Sequence, residues 1–272
     1  MLKKSTNKKF GVLYVATGRK IIAEACRSAA SLKKYMPDTQ IAIFVDDESL
    51  IPPNLFDYVN SIKNPTYSHF DKIPPLIETP FNKTLFLDSD TLVIEPFHEL
   101  PTLLERFDFA YCHAPWRFGE YNIPECSDAF PQPNSGVILY NKTNSVLDLI
   151  NRWLEIYKKQ LTNNLKPPHD QSALRKAVYE SAVNFTILPS EYNIRTHFPY
   201  FVGGNVKAKI LHGRGPAQII AKSTINKKLV PYRNLRPRVG NGIMYHKYGY
   251  GQRLKRKIAN KIKSLLTQFS ND

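Results

Sequence analysis

The chain has 272 residues, 42% of them hydrophobic and 22% charged, with a formal net charge of +15. That supports a sizeable core and excludes a disordered chain, and no apolar run approaches the roughly 18 residues of a membrane-spanning helix. The charge is lopsided: residues 192–271 hold 17 Lys and Arg and no acidic residue, whereas the first 191 residues hold 21 basic and 22 acidic ones, so a nearly neutral body precedes an end that seeks polyanions.

Phe10–Ala16 is an apolar run ending at Thr17-Gly18, which predicts a buried strand and a tight turn. Residues Ile21 to Tyr35 predict a helix with Ile22, Cys26, Ala29 and Leu32 on one face, stopped at Pro37-Asp38. Ile41–Val45 is the next strand, and strand, helix, strand within about 35 residues is a βαβ unit of an α/β domain. Thr84–Asp88, Thr91–Ile94, Asp108–Cys112 and Gly136–Tyr140 predict further strands. Asn144 or Ser145 is expected to cap a helix through about Lys159, and a second helix starts near His169-Asp170. Asn184–Leu188 and Lys207–Leu211 are late strands, the second leading into His212-Gly-Arg-Gly215. Ala221 to Gly242 reads as extended, and Arg253 to Phe269 as a basic amphipathic helix preceded by Tyr245, Tyr248 and Tyr250. A basic rim, an apolar stripe and amphipathic aromatics suit an anionic membrane surface, here through residues 245–269. Packing of the same stripe against the body is the competing reading.

Cys26, Cys112 and Cys126 are too few and scattered for a disulfide framework or a zinc site. With no signal-like apolar stretch after the basic start, a cytoplasmic location is expected. Phosphate-binding loops of the G-x-x-x-x-G-K-[ST] and G-x-G-x-x-G kinds are missing, as is H-E-x-x-H. What stands out is Asp88-Ser-Asp90 at the end of a buried strand. Open α/β sheets place ligands beyond the carboxyl ends of their strands. Carboxylates there offer oxygen ligands to a divalent cation that shares its shell with substrate phosphates.

Taken in order, Val12–Gly18, Lys72, Asp88-Ser-Asp90, Asn134-Ser-Gly-Val137, Asp170-Gln171 and His212-Gly213 resemble the motifs of nucleotide-sugar glycosyltransferases of the GT-A fold, closest to family 8, the glycogenin and lipopolysaccharide galactosyltransferase group. The resemblance spans about Phe10 to Gly215. It implies an α/β, Rossmann-like GT-A domain over residues 1–215, followed by a basic C-terminal extension over 216–272. It further implies a metal held by Asp88, Asp90 and His212, with Mn2+ favoured over Mg2+ by the imidazole beside two carboxylates. Ala16 and Thr17 would line the base and ribose pocket. Lys72 would face the donor sugar or diphosphate, Asn134 and Asp170 would bind the donor sugar, and Asp88 would also touch the ribose. Gln171 and Asp170 would serve the reaction at the anomeric carbon. The family's late Lys-Pro-Trp is missing, and Arg214 or Lys222 is expected to replace its lysine at the donor. Glu125 and Asp128 are candidates for acceptor hydroxyls.

The expected activity is metal-dependent transfer of a hexose from a nucleotide sugar, UDP favoured, with retention, to a hydroxyl of a glycolipid or polysaccharide in cell-envelope glycan synthesis. The basic end would bring the enzyme to the inner membrane face, and no nucleic-acid partner is expected. The alternative is a catalytically degenerate GT-A domain that binds polyanions.

Overall fold

A computed structural model describes residues 10–114, 123, 125–163, 169–197, 200–203, 206–215, 218–219, 221–222, 225–226, 232–238 and 242–244, the segments 200–203, 232–238 and 242–244 by backbone alone. The amphipathic helix expected over Arg253–Phe269 lies outside the described residues. In chain order the elements are β1 (Phe10–Ala16), α1 (Arg19–Tyr35), β2 (Gln40–Val45), β3 (Tyr58–Ser61), α2 (Ile73–Ile77), β4 (Lys83–Leu87), β5 (Thr91–Val93), α3 (Leu100–Leu103), β6 (Phe109–His113), β7 (Pro133–Asn141), α4 (Asn144–Asn163), α5 (Gln171–Glu180), β8 (Phe185–Leu188), β9 (Ile194–Arg195), β10 (Tyr200–Gly203), β11 (Ile210–His212), β12 (Tyr232–Arg238) and β13 (Gly242–Met244).

Seven strands form the main sheet in the order β3-β2-β1-β4-β7-β6-β8. β3, β2, β1 and β4 run parallel, while β7 is antiparallel to both β4 and β6. Both faces are covered, which explains why β1 and the Ile41–Val45 run of β2 are apolar and do not alternate. On one face Val12, Tyr14 and Ala16 pack with Ile22, Ala25, Ala29 and Leu32 of α1. On the other, Leu13 and Val15 join Leu76 of α2, Trp153 of α4 and Leu174 of α5. Trp153 is fully buried and donates its indole N–H to the Asp170 carbonyl at 3.0 Å, tying α4 to the start of α5.

The order of the parallel strands reverses direction at β1, whose neighbours are β2 and β4. Such a switch point opens a crevice beyond the strand ends. Thr17 follows β1 there, and Asp88 follows β4. A second, three-stranded sheet, β5-β11-β9, stands beside the crevice, its β11 antiparallel to β5 and parallel to β9. Leu92, Ile194, Ala208, Leu211, Ala221 and Ile225 give it a small core of its own.

Several boundaries differ from the sequence expectation. β7 begins at Pro133, ahead of Gly136, because it pairs with β6 through a bulge between Tyr111 and Cys112. The cap of α4 is Thr143: its Oγ1 accepts the Val146 N–H at 3.4 Å and its carbonyl takes Leu147 N–H at 2.9 Å. The strand expected over Lys207–Leu211 starts later, at Ile210, and runs one residue further, to His212. β12, within the stretch read as extended, pairs antiparallel with β10, linking residues 232–238 to 200–203. No helix among the described residues is long and apolar enough to cross a membrane.

Candidate active site

The turn after β1 is shaped by Gly18, whose φ is +86°. Its carbonyl receives the N–H groups of Ile21 and Ile22 and so starts α1, while its own N–H goes to Asp46 Oδ1 at 2.8 Å at the end of β2. Thr17 Oγ1 donates to Asp71 Oδ2 at 2.8 Å. The buried Asp71 carboxylate also accepts from the backbone N–H groups of Thr66 and Tyr67, each at 2.8 Å. These bonds hold Tyr67 at φ +55°, a left-handed conformation that a bulky residue adopts only when its surroundings impose it. Tyr67 is 67% exposed, and its ring stands over Gly18 at the rim of the crevice.

After β4 the chain turns sharply. Thr91 donates to the Asp88 carbonyl through both its N–H, at 3.1 Å, and its Oγ1, at 2.8 Å. A buried hydroxyl chain, Tyr14 to Ser28 to Thr91, braces this turn from beneath. β11 pairs His212 with Thr91 across the antiparallel ladder, and Gly213 N–H closes on the Asp90 carbonyl at 3.0 Å. One ligand atom each from Asp88, Asp90 and His212 then lie within 4.8 Å of one another. His212 Nε2 is 3.2 Å from Asp90 Oδ1 and 3.7 Å from Asp88 Oδ2.

This donor set fits a divalent cation on two counts. Two carboxylate oxygens and an imidazole nitrogen suit a borderline cation such as Mn2+. In addition, Gly136 runs directly beneath the cluster: a Cβ there would lie 2.2 Å from His212 Cε1 and 2.7 Å from Asp88 Oδ2. The space is one that only glycine leaves. Burial pushes the Asp90 carboxyl up, but His212, Arg214 and Arg195 outweigh it and the net shift is downward.

Lys72 is buried, not a surface lysine. Its ammonium donates to Ser135 Oγ at 2.9 Å and pairs with Asp170 Oδ2 at 3.1 Å and Asp88 Oδ1 at 3.4 Å. Burial alone would lower its pKa, but Asp170 and Asp88 prevail and the shift is upward. Asp170 precedes α5 yet makes no side-chain capping bond; its buried carboxylate faces Lys72. Gln171 opens α5, and its carbonyl accepts Gln132 Nε2 at 2.9 Å. Arg214 is gripped by Glu24 of α1, with Nη2 to Oε2 at 2.9 Å, and reaches Asp90 Oδ2 at 3.4 Å.

All of these open on one cavity of about 580 Å³, within the range of small-molecule sites. Of the expected residues, Thr17, Lys72, Asp88, Asp90, Asn134, Asp170, Gln171, His212 and Arg214 line it. Ala16 does not: its side chain packs into the α1 face of the core, and Val15 lines the cavity in its place. Glu125 and Asp128 are not among the lining residues, and Glu125 pairs with Lys176 at 3.1 Å. Lys222 is exposed and not among the lining residues; among the described side chains after the late histidine, the basic one that lines the cavity is Arg214. The sequence reading missed Tyr67, His69, Asp71, Ser135, His169 and Arg195, which line the cavity too. Ser135 lies inside the Asn134-Ser-Gly-Val137 motif, and the other five sit in no spacing that marks chemistry. Asp71 was legible only as the residue before Lys72.

Among the described residues of this lining, four carboxylates (Asp71, Asp88, Asp90, Asp170) face three permanent cations (Lys72, Arg195, Arg214). A bound divalent cation would turn the balance positive, as a diphosphate requires.

No sequence-family model and no curated protein matches the chain. Solved structures do. Galactosyltransferase LgtC, crystallised in complex with donor and acceptor sugar analogs, gives a TM-score of 0.52 at 16% identity, covering 76% of this chain and 87% of that one. An active-site mutant of LgtC gives 0.51 at 15% identity, over 76% and 88%. The glycosyltransferase GlyE of Streptococcus pneumoniae TIGR4 gives 0.55 at 17% identity, over 76% and 56%. At these identities the likeness establishes the fold: the chain has the GT-A, family 8-like fold that its motifs led one to expect.

Proposed function

We propose that the chain is a metal-dependent glycosyltransferase that moves a hexose from a UDP-sugar, with retention, to a hydroxyl of a glycolipid or polysaccharide. One observation carries the reading: Asp88, Asp90 and His212 converge beside Lys72, Asp170 and Gln171 in one cavity at the switch point of the sheet. Breaking a sugar C1–O bond develops positive charge at C1 and negative charge on the departing diphosphate. A divalent cation held by Asp88, Asp90 and His212 would supply Lewis-acid neutralisation of that negative charge. Lys72 and Arg214 stand on the same side and add fixed positive charge. The Asp170 carboxylate, with the Gln171 amide beside it, offers oxygen acceptors to the sugar side. Gln171 is a poor nucleophile, so the reading favours a short-lived ion pair over a covalent intermediate. Thr17 and the Tyr67 ring bound the mouth where the nucleoside would lie.

Titration calorimetry of UDP, with and without Mn2+, tests this on the wild type and on Asp90→Asn. UDP uptake that needs Mn2+ and vanishes in Asp90→Asn is expected. UDP uptake unaffected by either would remove the metal from the account, and no uptake of any nucleotide would leave the polyanion-binding alternative. NMR of the product formed from an α-linked donor checks retention, and a β-linked product refutes it.

The basic end is the second part of the proposal. We infer that residues 245–269 hold the enzyme on the cytoplasmic face of an anionic membrane, where a lipid-linked acceptor would be found. Deleting residues 252–272 should release the protein from phosphatidylglycerol vesicles and leave Mn2+-dependent UDP binding intact. Undiminished vesicle binding refutes it.

A further inference from the structure

The direction of the hydrogen bonds around His212 can be followed without ambiguity. The O and N of a side-chain amide are interchangeable by shape alone, so a network must be anchored at a group of known polarity. Gly136 provides that anchor. Its backbone N–H can only donate, and it points at Asn134 Oδ1 at 3.1 Å. That atom of Asn134 is therefore oxygen. The same oxygen meets the amide of Asn193 at 2.8 Å, which makes the facing atom the donor Nδ2. The other atom of the Asn193 amide is then oxygen, and it lies 2.8 Å from His212 Nδ1. An amide oxygen only accepts, so Nδ1 carries a proton.

The relay is buried: Asn193 is 0%, Asn134 1% and His212 3% exposed. It is also rigidly placed. Asn193 precedes β9, whose parallel register sets Arg195 beside His212, and Thr196 N–H holds the His212 carbonyl at 2.9 Å. The cost of the wrong tautomer is plain from the distances. With the proton on Nε2, the neutral ring would donate to Asp90 Oδ1, 3.2 Å away, and close the space between the ligands.

We propose that Asn193 is a positioning residue of the metal centre: its amide keeps a proton on His212 Nδ1, so that Nε2 is the ring nitrogen left to offer a lone pair to a metal beside Asp88 and Asp90. The proposal rests on reading those three residues as metal ligands. It adds that Asn134, whose Oδ1 is spent on Gly136 and Asn193, has only its Nδ2 left to offer a donor sugar.

Mn2+ binding to the full-length chain, followed by the EPR signal of the free ion, tests this in Asn193→Ala and Asn193→Asp. Loss of such an outer partner weakens metal binding about 10- to 100-fold, and that is the loss expected for Asn193→Ala. A carboxylate at position 193 still accepts from Nδ1–H but loses the donor to Asn134 Oδ1, so Asn193→Asp should lose less affinity than Asn193→Ala. Wild-type affinity in Asn193→Ala, or equal losses in the two variants, overturns the role. A wild type that takes up no Mn2+ removes the metal centre itself, and this role with it. Should either variant fail to fold, long-range 1H–15N NMR of His212 in the Mg2+-saturated wild type decides, with His212→Gln for assignment. A protonated Nδ1 is expected, and a bare Nδ1 overturns the proposal.

Discussion

In the main sheet, Thr17 and Asp88 reach the cavity directly after the strands that carry them, β1 and β4. In the side sheet, His212 ends a three-residue strand whose place is set by β5 on one flank and β9 on the other. The main sheet is covered on both faces by helices and holds nearly all of the large buried side chains. Among the described residues, the side sheet has a small core of seven, Ile94 included. One region thus provides stability and the strand ends, while the other closes the ligand set through register alone. Damage to the first should appear chiefly as unfolding, and damage to the second as lost affinity.

The sharpest way to break that comparison is Trp153→Ala. Removing a fully buried indole from the main core costs about 3–5 kcal/mol, and denaturant unfolding should read that loss. If the variant unfolds like the wild type, the helical layer under the sheet is not the scaffold it is taken to be. Gly136→Ala comes next. Its Cβ cannot share space with His212 Cε1, so both ligands on that side must shift. A misplacement of about 1 Å at a reacting centre costs on the order of 100-fold in rate, so donor turnover should fall by that much with a smaller change in stability. Turnover close to wild type would show that the side sheet can slide to accommodate it.

Lys72→Met sharpens the link between the two regions, because Lys72 pairs with Asp170 before α5 and with Asp88 after β4. Its pKa is raised above 10.5 by Asp170 and Asp88 against the opposing effect of burial. The folded state therefore holds that proton more tightly than the unfolded chain does. The stability contributed by these pairs is complete below pH 10.5 and is lost only as pH rises through the higher folded value. The stability gap between wild type and Lys72→Met should stay flat from mildly acidic to mildly alkaline pH and shrink only beyond that. A gap that closes near neutrality would contradict the pairing. The smallest effect belongs to Tyr67→Ala. Stacking of a base on an aromatic ring contributes about 1–3 kcal/mol, so UDP affinity should drop about tenfold while Mn2+-dependent pyrophosphate binding holds. Equal losses for both ligands would mean that Tyr67 supports the loop and not the base.

Much of the main sheet was legible because its strands are contiguous apolar runs with turns after them. Phe10–Ala16 was read to the residue. β3 escaped because Tyr58–Ser61 is a short, half-buried edge strand with no apolar run to mark it. Asp88 and Asp90 were legible because a strand end and its turn lie side by side in the chain. Asn193 was not, since its importance comes from His212, 19 residues on, and Asn134, 59 residues back. Nothing in the sequence singles out Glu24 within its helix, yet it is buried and pairs with Arg214, 190 residues further along the chain. Ala16 shows the opposite failure: in a strand buried on both faces, neighbours point to opposite layers, and sequence could not say whether residue 15 or 16 met the cavity.

The sequence by itself determined the α/β class, the strand that ends in Asp88-Ser-Asp90 and the split between a neutral body and a basic end, for these depend on neighbours along the chain. Only the tertiary structure decided that His212 meets the two aspartates, that Lys72 is buried between Asp88 and Asp170, and that Asn193 orients the histidine ring. Those relations arise from strand order and register, which bring together residues whose separation along the chain carries no local signal.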